Sequence, residues 1–278
     1  MPLGQEACKR WEIPLTFWLL YLATGAFTGV FAGLLGVGGG LIVVPLLTFV
    51  FTSQQMPEAY ILHLALGTSL ASIILTSISS FRAHHARGAV HWGVVRGISL
   101  GILTGTFFGS WVAAQLSGRF LSAFFVVFLY TVSLRMFFNV RPKASMTLPK
   151  PAGLFAVGNV IGGVSSLVGI GGGSLSVPFL VRCNLPVHTA VGTSAAIGFP
   201  IAVAGTAGYV LNGLAVAELP AGSLGFVYLP ALAGICLASV LTAPLGVRLA
   251  HSLPVARLKR IFALFLMVMG TRLLFSFF

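Results

Sequence analysis

Gly29-Val-Phe-Ala-Gly-Leu-Leu-Gly-Val-Gly-Gly-Gly-Leu-Ile-Val-Val-Pro45 decides how this chain is read, because it occurs twice. The second copy is Gly162-Gly-Val-Ser-Ser-Leu-Val-Gly-Ile-Gly-Gly-Gly-Ser-Leu-Ser-Val-Pro178, 133 residues further on. Gly36, Gly38, Gly39, Gly40 and Pro45 all recur in place. Successive glycines admit backbone angles that other residues avoid. Irregular backbone inside a bilayer must be buried in protein or line a wet cavity, since lipid cannot satisfy its N–H groups. The same break at the same spot in two halves of a membrane protein is a pointer to a transport site.

Composition places the chain in a membrane. Charged residues are 7% of its 278, against about 25% in soluble domains. Hydrophobic residues are 57% and mean hydropathy is +1.02. Apolar stretches long enough to cross roughly 30 Å of hydrocarbon recur along it. The expected fold is an all-α polytopic helix bundle of two homologous halves, the second inverted, with short helices after the glycine breaks. Leu15–Leu35 reads as the first span, too long for a signal-peptide core. The net charge of +12 comes from basic residues scattered singly between spans. That pattern signals topology, and nucleic acid is not an expected partner. Cys8, Cys183 and Cys236 have no CxxC spacing and support neither a disulfide framework nor a zinc site.

Ten apolar segments can be marked: Leu15–Leu35, Leu41–Thr52, Ile61–Phe81, Trp92–Ala114, Phe120–Phe138, Gly153–Ile170, Leu175–Val181, Val187–Leu211, Leu224–Leu249 and Leu258–Phe275. The second and seventh are too short for ordinary spans and read as half-depth helices. With five passes per half and the N-terminus outside, twelve Lys and Arg fall inside and four outside. Merging each short segment with its neighbour gives eight spans and a weaker split of ten to six. Positive-inside bias favours the five-pass plan, and an odd count inverts the second half. The domain reading is therefore residues 1–138 as the first membrane repeat, 139–152 as a cytoplasmic linker and 153–278 as the second repeat.

The likeness extends beyond the glycines. His63-Leu-Ala-Leu-Gly-Thr-Ser69 matches His188-Thr-Ala-Val-Gly-Thr-Ser194, His84-x-x-x-Gly88 matches Tyr209-x-x-x-Gly213, and Gly109, Leu116 and Leu121 match Gly246, Leu253 and Leu258. A helix beginning just after each break directs free N–H groups and a partial positive charge inward, which makes an anion site from backbone. The expected substrate-binding set is Gly38, Gly39, Gly40, Gly171, Gly172 and Gly173 as backbone donors. Thr68, Ser69, Thr193, Ser194 and Ser174 supply hydroxyls. Each hydroxyl has packing or back-bonding to the preceding turn as its ordinary alternative.

Absences narrow the class further. The sequence contains no Asp, and Glu6, Glu12, Glu58 and Glu218 all fall in expected loops or the N-terminal tail. Intramembrane carboxylates mark cation and proton pathways, so anionic cargo fits better. No Ser-His-acid set and no phosphate-binding Walker loop is present, which argues against a hydrolase reading and against direct ATP drive. No cofactor and no metal is expected. His84, His85 and His91 sit with Arg82 and Arg87 in what reads as a basic cytoplasmic turn near lipid phosphates. His63 and His188 near helix starts read as capping or interfacial residues, with proton coupling as the sharper alternative.

Gly33–Pro45 and Ser166–Pro178, each followed by Gly-Thr-Ser at Gly67–Ser69 and Gly192–Ser194, resemble the sulfite exporter TauE/SafE family, also called the toluene sulfonate uptake permease family. The resemblance runs from about Trp18 to Leu274. It implies a multi-pass protein of the bacterial cytoplasmic (inner) membrane that moves sulfite, sulfoacetate or other organosulfonates. The family is usually described with seven or eight spans, fewer than the ten segments marked here. The function expected is secondary transport of a small anion, with a proton or sodium ion as the coupling partner to look for. An anion channel could use the same backbone donors. A non-transporting membrane partner, scaffold or sensor would instead depend on loops such as Arg82–His91.

Overall fold

The computed structural model describes residues 14–35, 39–140, 144–252 and 255–277. Its described residues form ten helices in the order the hydropathy marked. They are α1 (Leu15–Leu35), α2 (Gly40–Ser53), α3 (Ile61–Ala86), α4 (Trp92–Gln115), α5 (Gly118–Phe137), α6 (Pro151–Val168), α7 (Gly173–Arg182), α8 (Val187–Gly213), α9 (Leu229–Ser252) and α10 (Val255–Phe277). Six of them (α1, α3, α4, α5, α6 and α8) carry windows long and apolar enough to cross a membrane. At 1.5 Å rise per residue, α2 and α7 reach only about 21 and 15 Å, short of a full crossing. The chain is thus a polytopic all-α bundle.

Several boundaries differ from the sequence reading. Helix α3 runs past Phe81 to Ala86, so His84 and His85 belong to its last turn and not to a loop. Two residues assigned to the linker, Pro151 and Ala152, open α6, where proline suits the first helical turn. Ahead of α9, Ser223–Leu224 (β1) and Val227–Tyr228 (β2) pair as a short antiparallel hairpin. Gly222 and Gly225 supply its left-handed turns, so the helix expected from Leu224 begins only at Leu229. The linker residues Arg141, Pro142 and Lys143 lie outside the described residues.

At the centre stands α3, whose residues 61–73 are all buried. A helix buried all round belongs in the middle of a bundle. Beside it lies α8. Gly205 packs against Leu70 and Gly198 against Ser77, so numbering rises along one helix as it falls along the other and the two run antiparallel. The flanking helices pair by exchange: α1 lies along α9, and α4 lies along α6. In both pairs the contacts rise together in number, so the helices are parallel.

These two crossings are copies of each other. Gly97 meets Leu154 as Gly234 meets Tyr21, and Gly158 meets Ile98 as Gly25 meets Ile235. Small residues at four-residue spacing (Gly97, Gly101, Gly105 and Gly109 on α4, Gly158 and Gly162 on α6) let backbone touch backbone. Lipid tails are as apolar as Leu, so association in a bilayer rests on such close packing. A Cβ on Gly162 would lie 2.6 Å from both Ile102 O and Thr106 Oγ1, whereas one on neighbouring Gly163 would meet Gly105 O at an ordinary 3.6 Å. Gly162→Ala is therefore expected to cost about 1–3 kcal/mol by overpacking. Gly163→Ala should change stability by less than about 0.5 kcal/mol. Thermal unfolding in detergent compares them, and equal effects would contradict this packing.

Candidate functional site

The two glycine breaks touch. A Cβ on Gly40, the first residue of α2, would lie 2.5 Å from Gly169 O and 2.9 Å from Ile170 Cα in the second break. Gly39 closes beneath Thr28 of α1. Gly169 (φ +67°) and Gly172 (φ +75°) hold left-handed backbone, which lets α6 stop and α7 start four residues later. Gly39 is right-handed (φ −68°), so at this position the first break uses glycine for closeness and not for an unusual angle. Gly39, Gly40 and residues 169–173 are all buried.

The N-termini of α2 and α7 thus enter one buried junction. Gly39 O accepts from the N–H groups of Ile42 and Val43, and Gly172 O accepts from those of Leu175 and Ser176. The first N–H groups of each helix have no acceptor inside the helix, and each end carries about half a positive charge. Pro45 and Pro178 sit inside the short helices, and each removes one further backbone donor.

Each Gly-Thr-Ser does three separate jobs. Gly67 admits the carbonyl of Phe226, and Gly192 admits that of Ala89. Thr68 Oγ1 accepts from Tyr228 N, and Thr193 Oγ1 accepts from His91 N, both at 2.9 Å. Those amides immediately precede α9 and α4, so each threonine fastens the start of a helix from the other repeat. Ser69 donates to Gly169 O at 2.8 Å, tying α3 to the second break. Ser194 lies 2.7 Å from Ser176 Oγ, which donates to Gly172 O.

Comparison with known proteins agrees with this architecture. Residues 21–273 match the family described as sulfite exporter TauE/SafE. The chain belongs to that family. It is 36% identical to a protein of Haemophilus influenzae named a probable membrane transporter protein, over 92% of this chain and 97% of the relative. A similarly named protein of Methanocaldococcus jannaschii is 28% identical over 90% and 93% of the two chains. In Bacillus subtilis, YunE, again named a probable membrane transporter protein, is 28% identical over 70% and 79%. No solved structure matches the chain significantly. The family, these relatives and the apolar helices make it a multi-pass membrane transporter of the TauE/SafE type.

Within this TauE/SafE chain, Gly39, Gly40, Gly171, Gly172, Gly173, Ser69 and Ser174 gather at or beside the junction, while Gly38 lies outside the described residues. The hydroxyls of Ser69 and Ser194 are committed to protein acceptors, and those of Thr68 and Thr193 receive backbone N–H groups. Ser174 Oγ, in the first turn of α7, is buried with no partner among the described residues. So are Thr28 Oγ1, whose methyl crowds Gly39, and Ser165 Oγ, 3.7 Å from where a Gly172 Cβ would lie. Sequence reading missed Thr28 and Ser165. Their only signal was position on the incoming helix, about three turns ahead of Gly39 and two turns ahead of Gly172.

His63, His85 and His91 each make a hydrogen bond within the fold. His85 Nδ1 accepts from Trp92 Nε1, and His91 Nδ1 caps α4 by accepting from Val94 N. His63 is buried and its Nε2 lies 3.1 Å from Ala113 O, whereas the equivalent His188 is exposed. Among the described residues, no three His, Cys, Asp or Glu side chains come together as a metal would require.

Thr68→Val should leave the buried Tyr228 N–H unpaired and destabilise the ligand-free protein by about 1–3 kcal/mol. Thr193→Val should cost less, since its bond is only partly buried, and Thr68→Ser should restore most of the loss. Thermal unfolding without added anions checks this. An unchanged Thr68→Val protein would contradict the fastening role.

Proposed function

We propose that this protein is a secondary transporter of small sulfur-containing oxyanions, sulfite or organosulfonates, which it holds between the two glycine breaks. The observation that carries this reading is the contact of Gly40 with Gly169 and Ile170, together with Ile73 touching both Gly40 and Gly171, which sets the starts of α2 and α7 close together in buried surroundings. Two such ends supply convergent N–H donors and positive potential without a titrating cation. Gly39, Gly40 and Gly171–Gly173 offer backbone donors. Ser174 offers a hydroxyl proton, and Thr28 and Ser165 complete the lining. The one described carboxylate in each of the loops after α2 and α8, Glu58 and Glu218, lies in exposed sequence away from this place.

The two repeats are inverted in this account. The antiparallel crossing of α3 with its equivalent α8 supports that arrangement, as does the parallel exchange of α1 with α9 and α4 with α6. Transport then proceeds by rocking of the halves around a fixed site. Burial of the junction speaks for alternating access and against a standing pore. The membrane is the cytoplasmic one, no covalent chemistry is performed, and a proton or sodium gradient supplies the drive.

Purified protein titrated with sulfite, thiosulfate, sulfate, sulfoacetate, taurine and acetate should be stabilised selectively by one or more sulfur oxyanions, with the shift rising with concentration as mass action requires. Ser174→Ala should fold normally and bind about tenfold more weakly, the worth of one lost hydrogen bond of about 1.4 kcal/mol. A folded wild-type protein that responds to none of these anions contradicts the proposal. So does a Ser174→Ala response equal to wild type together with an undiminished response in Gly172→Val.

A further inference from the structure

The ends of α2 and α10 enclose a crevice of about 190 Å³ lined by Pro45, Thr48, Phe49 and Thr52 on one side and Met269 and Arg272 on the other. Arg272 holds its guanidinium 4.0 Å above the centre of the Phe49 ring. Such stacking fixes the cation in place and leaves N–H groups for a bidentate oxyanion. Among the described residues it is the only charged one lining the crevice. The hydroxyls of Thr48, Thr52 and Ser53 donate back to Val44 O, Thr48 O and Phe49 O, so Arg272 is the charged donor, with Ser276 at the rim as a further hydroxyl.

Place and surroundings identify the occupant. Arg272 stands five residues before the end of α10, about 8 Å along the axis, and α2 ends beside it at Ser53. Long basic side chains near the ends of apolar helices settle at headgroup depth. The deeper wall is apolar, and neighbouring side chains face lipid: Phe49 is 39% exposed and Phe275 81%. A soluble anion would find little there to hold its remaining oxygens. A phospholipid can give its phosphate to Arg272 and lay its acyl chain along Phe49 and Met269. Among the described residues no carboxylate lines the crevice, so the charge they present favours an anionic lipid over a zwitterionic one.

We propose that this crevice is a binding site for an anionic phospholipid, with Arg272 as its phosphate ligand and Phe49 as the platform that holds Arg272 in place. The test is thermal unfolding of the full chain in detergent with added phosphatidylglycerol, phosphatidylcholine or inorganic phosphate. Wild-type protein, Arg272→Gln, Phe49→Leu and, as a control at another exposed arginine, Arg119→Gln are compared. Phosphatidylglycerol should stabilise the wild type and the control well beyond phosphatidylcholine, and inorganic phosphate should do little. Arg272→Gln should bind phosphatidylglycerol about tenfold more weakly, with a smaller loss for Phe49→Leu. Equal responses to the two lipids overturn the proposal, as does a phosphatidylglycerol preference that survives Arg272→Gln. A shift with inorganic phosphate as large as with lipid, lost in Arg272→Gln, would make this a soluble-anion site instead.

Discussion

The close approach of Gly40 to Gly169 and Ile170 is the constraint on which the rest of this fold depends. Any side chain at Gly40 would push the two breaks apart. Once the breaks touch, two short helices must begin at the same depth, and their free N–H groups must face protein or bound anion and not lipid. Irregular backbone is tolerable there because α3 and α8 bury it on both sides. Glycine at these positions is thus a packing requirement first, and the donor array follows from it.

The surrounding helices hold that junction by exchange. Each repeat lends its first helix to the fourth helix of the other, through crossings of glycine and other small residues. The threonines of both Gly-Thr-Ser motifs reach across in the same sense, to Tyr228 N and His91 N. The two ends of this framework are unequal. Phe226 occupies the place against Gly67 that Ala89 occupies against Gly192, and Phe226 packs among Tyr60, His63 and Tyr209. The glycine at one end of the central helix pair thus meets an aromatic residue and the glycine at the other meets Ala89.

Much of this was legible in the sequence, and the reasons it stopped short are physical. The duplicated glycines and the ten apolar segments located every helix, because hydropathy and helix-breaking residues act locally. The hairpin before α9 went unseen: a two-residue strand leaves almost no periodic signal, and only Gly222 and Gly225 hinted at a turn. The end of α3 falls later than expected because polar residues such as His84 extend a helix without breaking it, and α6 starts earlier because proline is accepted in a first helical turn. The exchange of α1 and α6 could not be read, since it depends on contacts between distant segments whose only trace is four-residue spacing of small side chains. The Gly-Thr-Ser hydroxyls could be listed as donors, yet only three-dimensional contacts reveal that the threonines accept backbone N–H groups. In an apolar chain polarity does not tell inside from outside, so Thr28 and Ser165 looked like any other small polar residue.

The central claim is that the two breaks meet because the repeats enter the membrane from opposite sides. Gln55, after α2, and Asn184, after α7, occupy comparable exposed turns. In a variant with Cys8, Cys183 and Cys236 replaced, a single cysteine at each position can be labelled with a membrane-impermeant thiol reagent in intact cells and again after lysis. The account predicts labelling of the Gln55→Cys protein in intact cells and of the Asn184→Cys protein only after lysis. Labelling of both from the same side would contradict it.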